Sequence, residues 1–220
     1  MWHTLRVRAL AIVVLVAGSA HAGVDLTAVT KTAPGCDPSR AHCFGIQVHV
    51  AVDADLVAPP DWIATQVSEA NRLFAPLDIG FRLVGVDALP ASAFHIANRG
   101  DRDELAGHRA GGTLIDVFII GKLDDIDEPD GIIRGVTWRI KDGRKYILVS
   151  NIAPSRTLAH ELGHFFGLPH STYQISIMNK KKRDEPPPEQ RTFAPQEVSA
   201  MRDNLKRMLR DKIVADVSAQ

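Results

Sequence analysis

The chain has 220 residues, 45% hydrophobic and 24% charged, with 26 basic side chains balanced by 26 acidic ones. This ordinary globular composition is long enough for one sizeable core. The zero net charge gives no global basic field, which argues against nucleic acid or an anionic membrane surface as a partner.

At the N-terminus, Arg6 and Arg8 precede an unbroken apolar run from Ala9 to Ala17. Ala20-His21-Ala22 then has the small-x-small form of a cleavage site, with cutting expected after Ala22. The apolar run is short for a transmembrane helix. Residues 1–22 therefore read as a signal peptide and 23–220 as one domain, with an uncleaved anchor as the alternative. No cysteine sits at the cleavage point, which argues against a lipoprotein. The expected location is secreted or periplasmic, with no stable membrane association after cleavage. In an oxidising compartment the only two cysteines, Cys36 and Cys43, read as a disulfide stapling the loop ahead of the first strand.

Phe44 to Val52 alternates apolar and polar residues and predicts a strand. Pro59-Pro60 breaks the chain and Asp61 can cap a helix. The apolar positions Trp62, Ile63, Val67, Ala70, Leu73 and Phe74 give that helix a buried face. Ile79 to Val86 reads as a second strand. Pro90 to Gly112 is polar and reads as loop with room for a short helix. Leu114 to Ile120 is mostly apolar, as in a strand covered on both faces. Leu123 to Gly131 is an acidic loop. Ile133 to Ile140 and Tyr146 to Ser150 read as two strands joined by a turn at Asp142-Gly143. Ser155 is placed to cap the next helix. Lys180 to Gln190 reads as a solvated loop, and a last helix starts near Ala194-Pro195 with Glu197 in its first turn. The order of five strands and interspersed helices is a mixed-sheet α/β pattern.

The chemistry concentrates in HELGHFFGLPH, His160 to His170. On a helix, His160 and His164 lie roughly 6 Å apart along the axis and about 40° apart around it, so both reach one metal. Glu161 points to a neighbouring face, close enough to reach a water on the metal without ligating it. Gly167 can adopt positive φ and end the helix, and Pro169 supports the turn. His170 then returns as a third ligand. Three protein nitrogens and one open position describe a catalytic zinc site, whereas structural sites usually close all four.

With Ser176-Ile177-Met178 following, these residues resemble the metzincin clan of zinc endopeptidases. Met178 stands in the place of the methionine turn beneath the metal, and its spacing from His170, with Ser171 directly after that histidine, looks most like the matrixin branch. Ser-Ile-Met is also similar to astacins, but Lys180 occupies the place of their tyrosine. The resemblance is specific over Val136 to Met178. It implies a metzincin-like zincin: a five-stranded mixed twisted sheet, an active-site helix, a lower part over 168–220 and a C-terminal helix. It further implies an endopeptidase that hydrolyses peptide or protein substrates with a water on the zinc and Glu161 as general base, and the chain is expected to be a monomer. An antiparallel edge strand near Val136 would hold the substrate. Tyr173, Ile175 and Ile177 would wall the pocket past the scissile bond, or serve only as core. No matrixin cysteine switch is evident, although a free thiol at Cys36 that binds the zinc stands as the rival to the disulfide. A zinc amidase acting on cell-wall peptides and a non-enzymatic zinc-containing binding module remain alternatives. Asp124, Asp125, Asp127, Glu128 and Asp130 could hold calcium, or simply form a solvated loop. His95 and His108 read as surface residues or a second zinc site.

Overall fold

A computed structural model describes residues 26–218 apart from Ala54 and Pro129. The expected signal segment lies outside the described residues. No helix among those described is long and apolar enough to cross a membrane.

The elements in order are α1 (Thr27–Thr32), β1 (His42–Ala51), α2 (Pro60–Phe74), β2 (Ile79–Leu89), β3 (His95–Ile96), α3 (Arg99–Glu104), β4 (Ile115–Ile120), β5 (Lys122–Leu123), β6 (Gly135–Arg139), β7 (Lys145–Ser150), α4 (Thr157–Phe165) and α5 (Pro195–Arg210). The main sheet has the order β2-β1-β4-β7-β6. Its first four strands are parallel and β6 runs antiparallel to β7, so β6 is an edge strand.

The sheet separates two cores. One face of β1, β4 and β7 (Ile46, Val48, Val50; Ile115, Val117, Ile119; Ile147, Val149) packs on α2, α4 and α5. The opposite face carries Phe118, Ile120, Tyr146 and Leu148 and is covered by the segment from Leu89 to Leu105. The alternation in β1 marks these two faces, but both are buried. Gln47 and His49, expected on a half-exposed strand, are enclosed: Gln47 Nε2 donates to Asp87 at 2.8 Å, and His49 Nε2 lies 2.9 Å from Asp116 while its ring stacks on Phe118. Parallel strands need cover on both sides, so polar residues on the second face must find partners inside.

The Pro90–Gly112 stretch is more structured than its polarity suggests. It holds α3, capped reciprocally by Asn98 and Asp101, and β3, which pairs with β5. α1 also lies where no helix was expected; of its residues only Val29 is buried. At the start of α4, Ser155 does not cap. Gln66 on α2 reaches across instead, its Oε1 accepting from Leu158 N at 3.0 Å. Asp61 likewise sits inside the first turn of α2, after Pro59 at the cap. Cys36 and Cys43 form a disulfide with Cα atoms 5.8 Å apart, and no free cysteine remains among the described residues, so a thiol switch is not available.

Candidate metal centre and cleft

α4 carries His160, Glu161 and His164, and its C-terminal turn delivers His170. The turn is a Schellman ending. Gly167 N donates to His164 O at 3.0 Å and Leu168 N to Gly163 O at 2.9 Å, with Gly167 at φ 96°. A Cβ there would also come within 2.4 Å of Asn204 Nδ2. Gly167→Ala should therefore cost about 1–2 kcal/mol, seen as a melting temperature lower by a few degrees, and should weaken metal retention by displacing His170. Thermal melts with and without zinc check this; an unchanged variant would mean the turn tolerates an L side chain.

The three histidines form the one metal-binding group found among the described residues. His160 Nδ1 donates to Ile177 O at 2.8 Å and His164 Nδ1 to Leu168 O at 2.7 Å. A carbonyl can only accept, so both Nδ1 atoms carry protons and both Nε2 atoms present lone pairs. Nε2 of His164 lies 3.1 Å from Nε2 of His160 and 3.3 Å from Nε2 of His170. Facing lone pairs repel, and a shared cation relieves the repulsion. Tetrahedral ligation with zinc–nitrogen bonds of about 2.05 Å needs nitrogens roughly 3.3 Å apart. The residues present fit that ion.

Met178, fully buried, lies under α4: a Cβ at Gly163 would meet its Sδ at 2.6 Å. The turn around it is held by contacts that the spacing of HELGHFFGLPH does not reveal. Ser176 Oγ donates to the Glu197 carboxylate, with Oε1 at 2.7 Å, and accepts from Met178 N at 2.8 Å. Arg183, read as part of a solvated loop, donates to the carbonyls of Gln174, Ser176, Asn179 and Lys181.

Glu161 is 4% exposed and faces β6. Thr137 Oγ1 lies 2.7 Å from Glu161 O and 3.0 Å from its Oε2, sharing its hydroxyl between them. Gly135 allows the strand to approach, since a Cβ there would stand 3.0 Å from Glu161 Cγ and Oε1. A cleft of about 670 Å³ opens over His160, Glu161, His164, His170 and β6. Val136 lines it, although its side chain packs toward the second core. Tyr173, Ile175 and Ile177 are not in its lining. Tyr173 is exposed, while Ile177 packs on the main core and supplies its carbonyl to His160.

Part of the acidic loop is paired within the protein. Asp124 pairs with His95 and Lys122, Asp127 pairs with Arg99, and Asp125 accepts from the backbone of Asp127 and Glu128. The carboxylates of this loop form no metal-binding group among the described residues. His95 is spent on Asp124 and His108 belongs to no metal-binding group.

Compared by sequence, the chain matches no protein-family model and none of the curated proteins. Compared by structure, it is similar to archaemetzincin from Methanopyrus kandleri, with TM-score 0.53 and 18% identity over 76% of this chain and 98% of that one. It is also similar to metalloproteinase-II from Bacteroides fragilis, with TM-score 0.50 and 13% identity over 78% of this chain. That match spans about half, 54%, of the Bacteroides protein. The fold is zinc-metallopeptidase-like. At these identities the likeness concerns architecture, and the chemistry rests on the site's own residues.

Within this zinc-metallopeptidase-like fold, burial sets the protonation of the metal-free site. It pushes Glu161 up to about 7 from 4.5 and His160 down to about 4 from 6.5, and it lowers His164 and His170 as well. The stability contributed by Glu161 is full below pH 4.5 and lost as pH rises through about 7. That of His160 is full above pH 6.5 and lost as pH falls through about 4. On acidification the two oppose each other. Metal-free Glu161→Ala should therefore lose roughly 2–4 kcal/mol more than the metal-free wild type as pH falls through this window. Urea unfolding as a function of pH measures the difference, and parallel curves would show that Glu161 ionises normally. A cation on the histidines would pull the Glu161 carboxyl back down.

Proposed function

We propose that the chain is an exported zinc-dependent endopeptidase of metzincin type. The observation that carries this reading is the convergence of three imidazole lone pairs with a buried carboxylate beside an open strand edge. The place of Met178 under α4 supports the metzincin reading, and its spacing from His170 is most like that of matrixins. The N-terminal cleavage pattern and the Cys36–Cys43 disulfide support export to the periplasm or beyond.

Zinc held by His160, His164 and His170 would supply Lewis-acid polarisation of a carbonyl and acidify a water. Glu161, oriented by Thr137, takes a proton from water at that face and returns it to the leaving amine. β6 offers its unpaired backbone groups to an extended peptide, the β-augmentation mode. Gly135 and Thr137 face α4, so the segment paired beside them lies over Glu161.

The test is cleavage of a quenched peptide library by the zinc-loaded chain, suppressed by a chelator and restored by zinc. Cleavage of cell-wall peptides alone would redirect the reading to an amidase. No cleavage of either would leave a zinc-containing binding module.

A further inference from the structure

A second cavity, of about 710 Å³, lies at the C-terminal end of α4, between the β6–β7 turn and α5. Six cations line it: Arg109, Arg139, Arg144, Lys145, Arg207 and Lys212. The acids in its lining are Asp116 and Asp142. Both are occupied, Asp116 with His49 and the amide of Ala110, Asp142 with Arg144. Among the described residues, Arg144 is the one cation of the six in an ion pair. Arg109 Nε is buried without a hydrogen-bond partner. Arg139, Lys145 and Arg207 spend donors on Gly143 O, on the last carbonyls of α4 and on Asn204, none of which cancels their charge. The chain as a whole has no net charge, so this is a local excess. The floor is apolar, with Leu114, Phe165, Phe166, Met208 and Ile213.

Arg139 and Lys145 line both this cavity and the cleft over the histidines, so the two are adjacent. β6 runs from Gly135, beside Glu161, to Arg139, in the lining of the basic cavity. Thr137 to Arg139 spans about 7 Å. A peptide laid antiparallel on β6 runs the opposite way, so the residues that reach the cavity precede the bond over Glu161.

We propose that this cavity is a substrate subsite that selects acidic side chains flanking an apolar residue, roughly three to five residues before the scissile bond. The inference rests on the peptidase reading above. The cations supply the charge complement, and the floor takes the apolar side chain between two carboxylates.

The experiment pairs two quenched peptides that differ in that segment, Glu-Leu-Glu against Gln-Leu-Gln. The zinc-loaded chain should cleave the acidic peptide with kcat/KM about tenfold higher at low salt, the product of a few solvent-facing ion pairs. Added salt should shrink the ratio, and the double variant Arg207→Gln with Lys212→Gln should bring it close to one. Equal cleavage of both peptides overturns the subsite while the peptidase reading stands. In parallel, fluorescence anisotropy measures binding of the labelled peptides to the Glu161→Ala protein. If neither peptide is cleaved, the peptidase reading fails, and the lack of any binding preference for the acidic peptide then overturns the subsite as well.

Discussion

Replacing Glu161 with alanine should reduce peptide hydrolysis by about 10²–10⁴-fold, the usual share of general acid–base catalysis, and leave the zinc in place. Glu161 is not one of the three converging donors, so its loss leaves the metal-binding group complete. No neighbour is placed to substitute. Of the other carboxylates lining the cleft, Asp125 is held by backbone amides and Asp127 by Arg99. The fold should survive, because the removed group is a buried carboxyl whose ionised form is costly. Turnover on matched, zinc-loaded samples, with metal content measured on the same samples, decides the matter. Near-wild-type cleavage would mean another residue is the base, or that the activity came from a contaminant.

The triple variant His160→Ala, His164→Ala, His170→Ala should bind no zinc, and each single change should lose most of it. A ligand at about a thousand times its Kd stabilises a fold by about 4 kcal/mol. For a chain of this size that corresponds to roughly 10 °C in melting temperature. A chelator should lower the wild-type melting temperature by about that amount and leave the triple variant unmoved. Stoichiometric zinc in the triple variant, by elemental analysis, would sink the site assignment.

The histidine site was legible because local spacing alone produces it. Four residues of helix align His160 with His164, and one glycine at positive φ brings His170 back. The β6–β7 hairpin and the apolar β4 were equally plain. What stayed hidden was the work of distant partners. Thr137 is one threonine in a strand until the fold sets it against Glu161. Gln66 caps a helix more than 90 positions away, at Leu158. The burial of His49 follows from a second core that no period of two can announce. The short elements α3 and β3 sit in a polar stretch, although Asn98 and Asp101 carried a readable capping signal. The basic cavity draws its cations from three separate segments, at Arg109, from Arg139 to Lys145 and from Arg207 to Lys212, which only the fold brings together.

The open edge of β6 also bears on how the molecule avoids its own copies. An unpaired strand edge is a template on which identical chains can stack, and proteins blunt such edges with short length, charge and cover. β6 has five residues, begins with glycine and ends with an exposed arginine. Trp138, its largest side chain, is pinned by Asp103 and covered by the guanidinium of Arg102. Two such strands meeting edge to edge would share few backbone bonds and would have no bare apolar face to zip together. The edge is long enough to hold a few residues of an unfolded guest and too short to seed an aggregate.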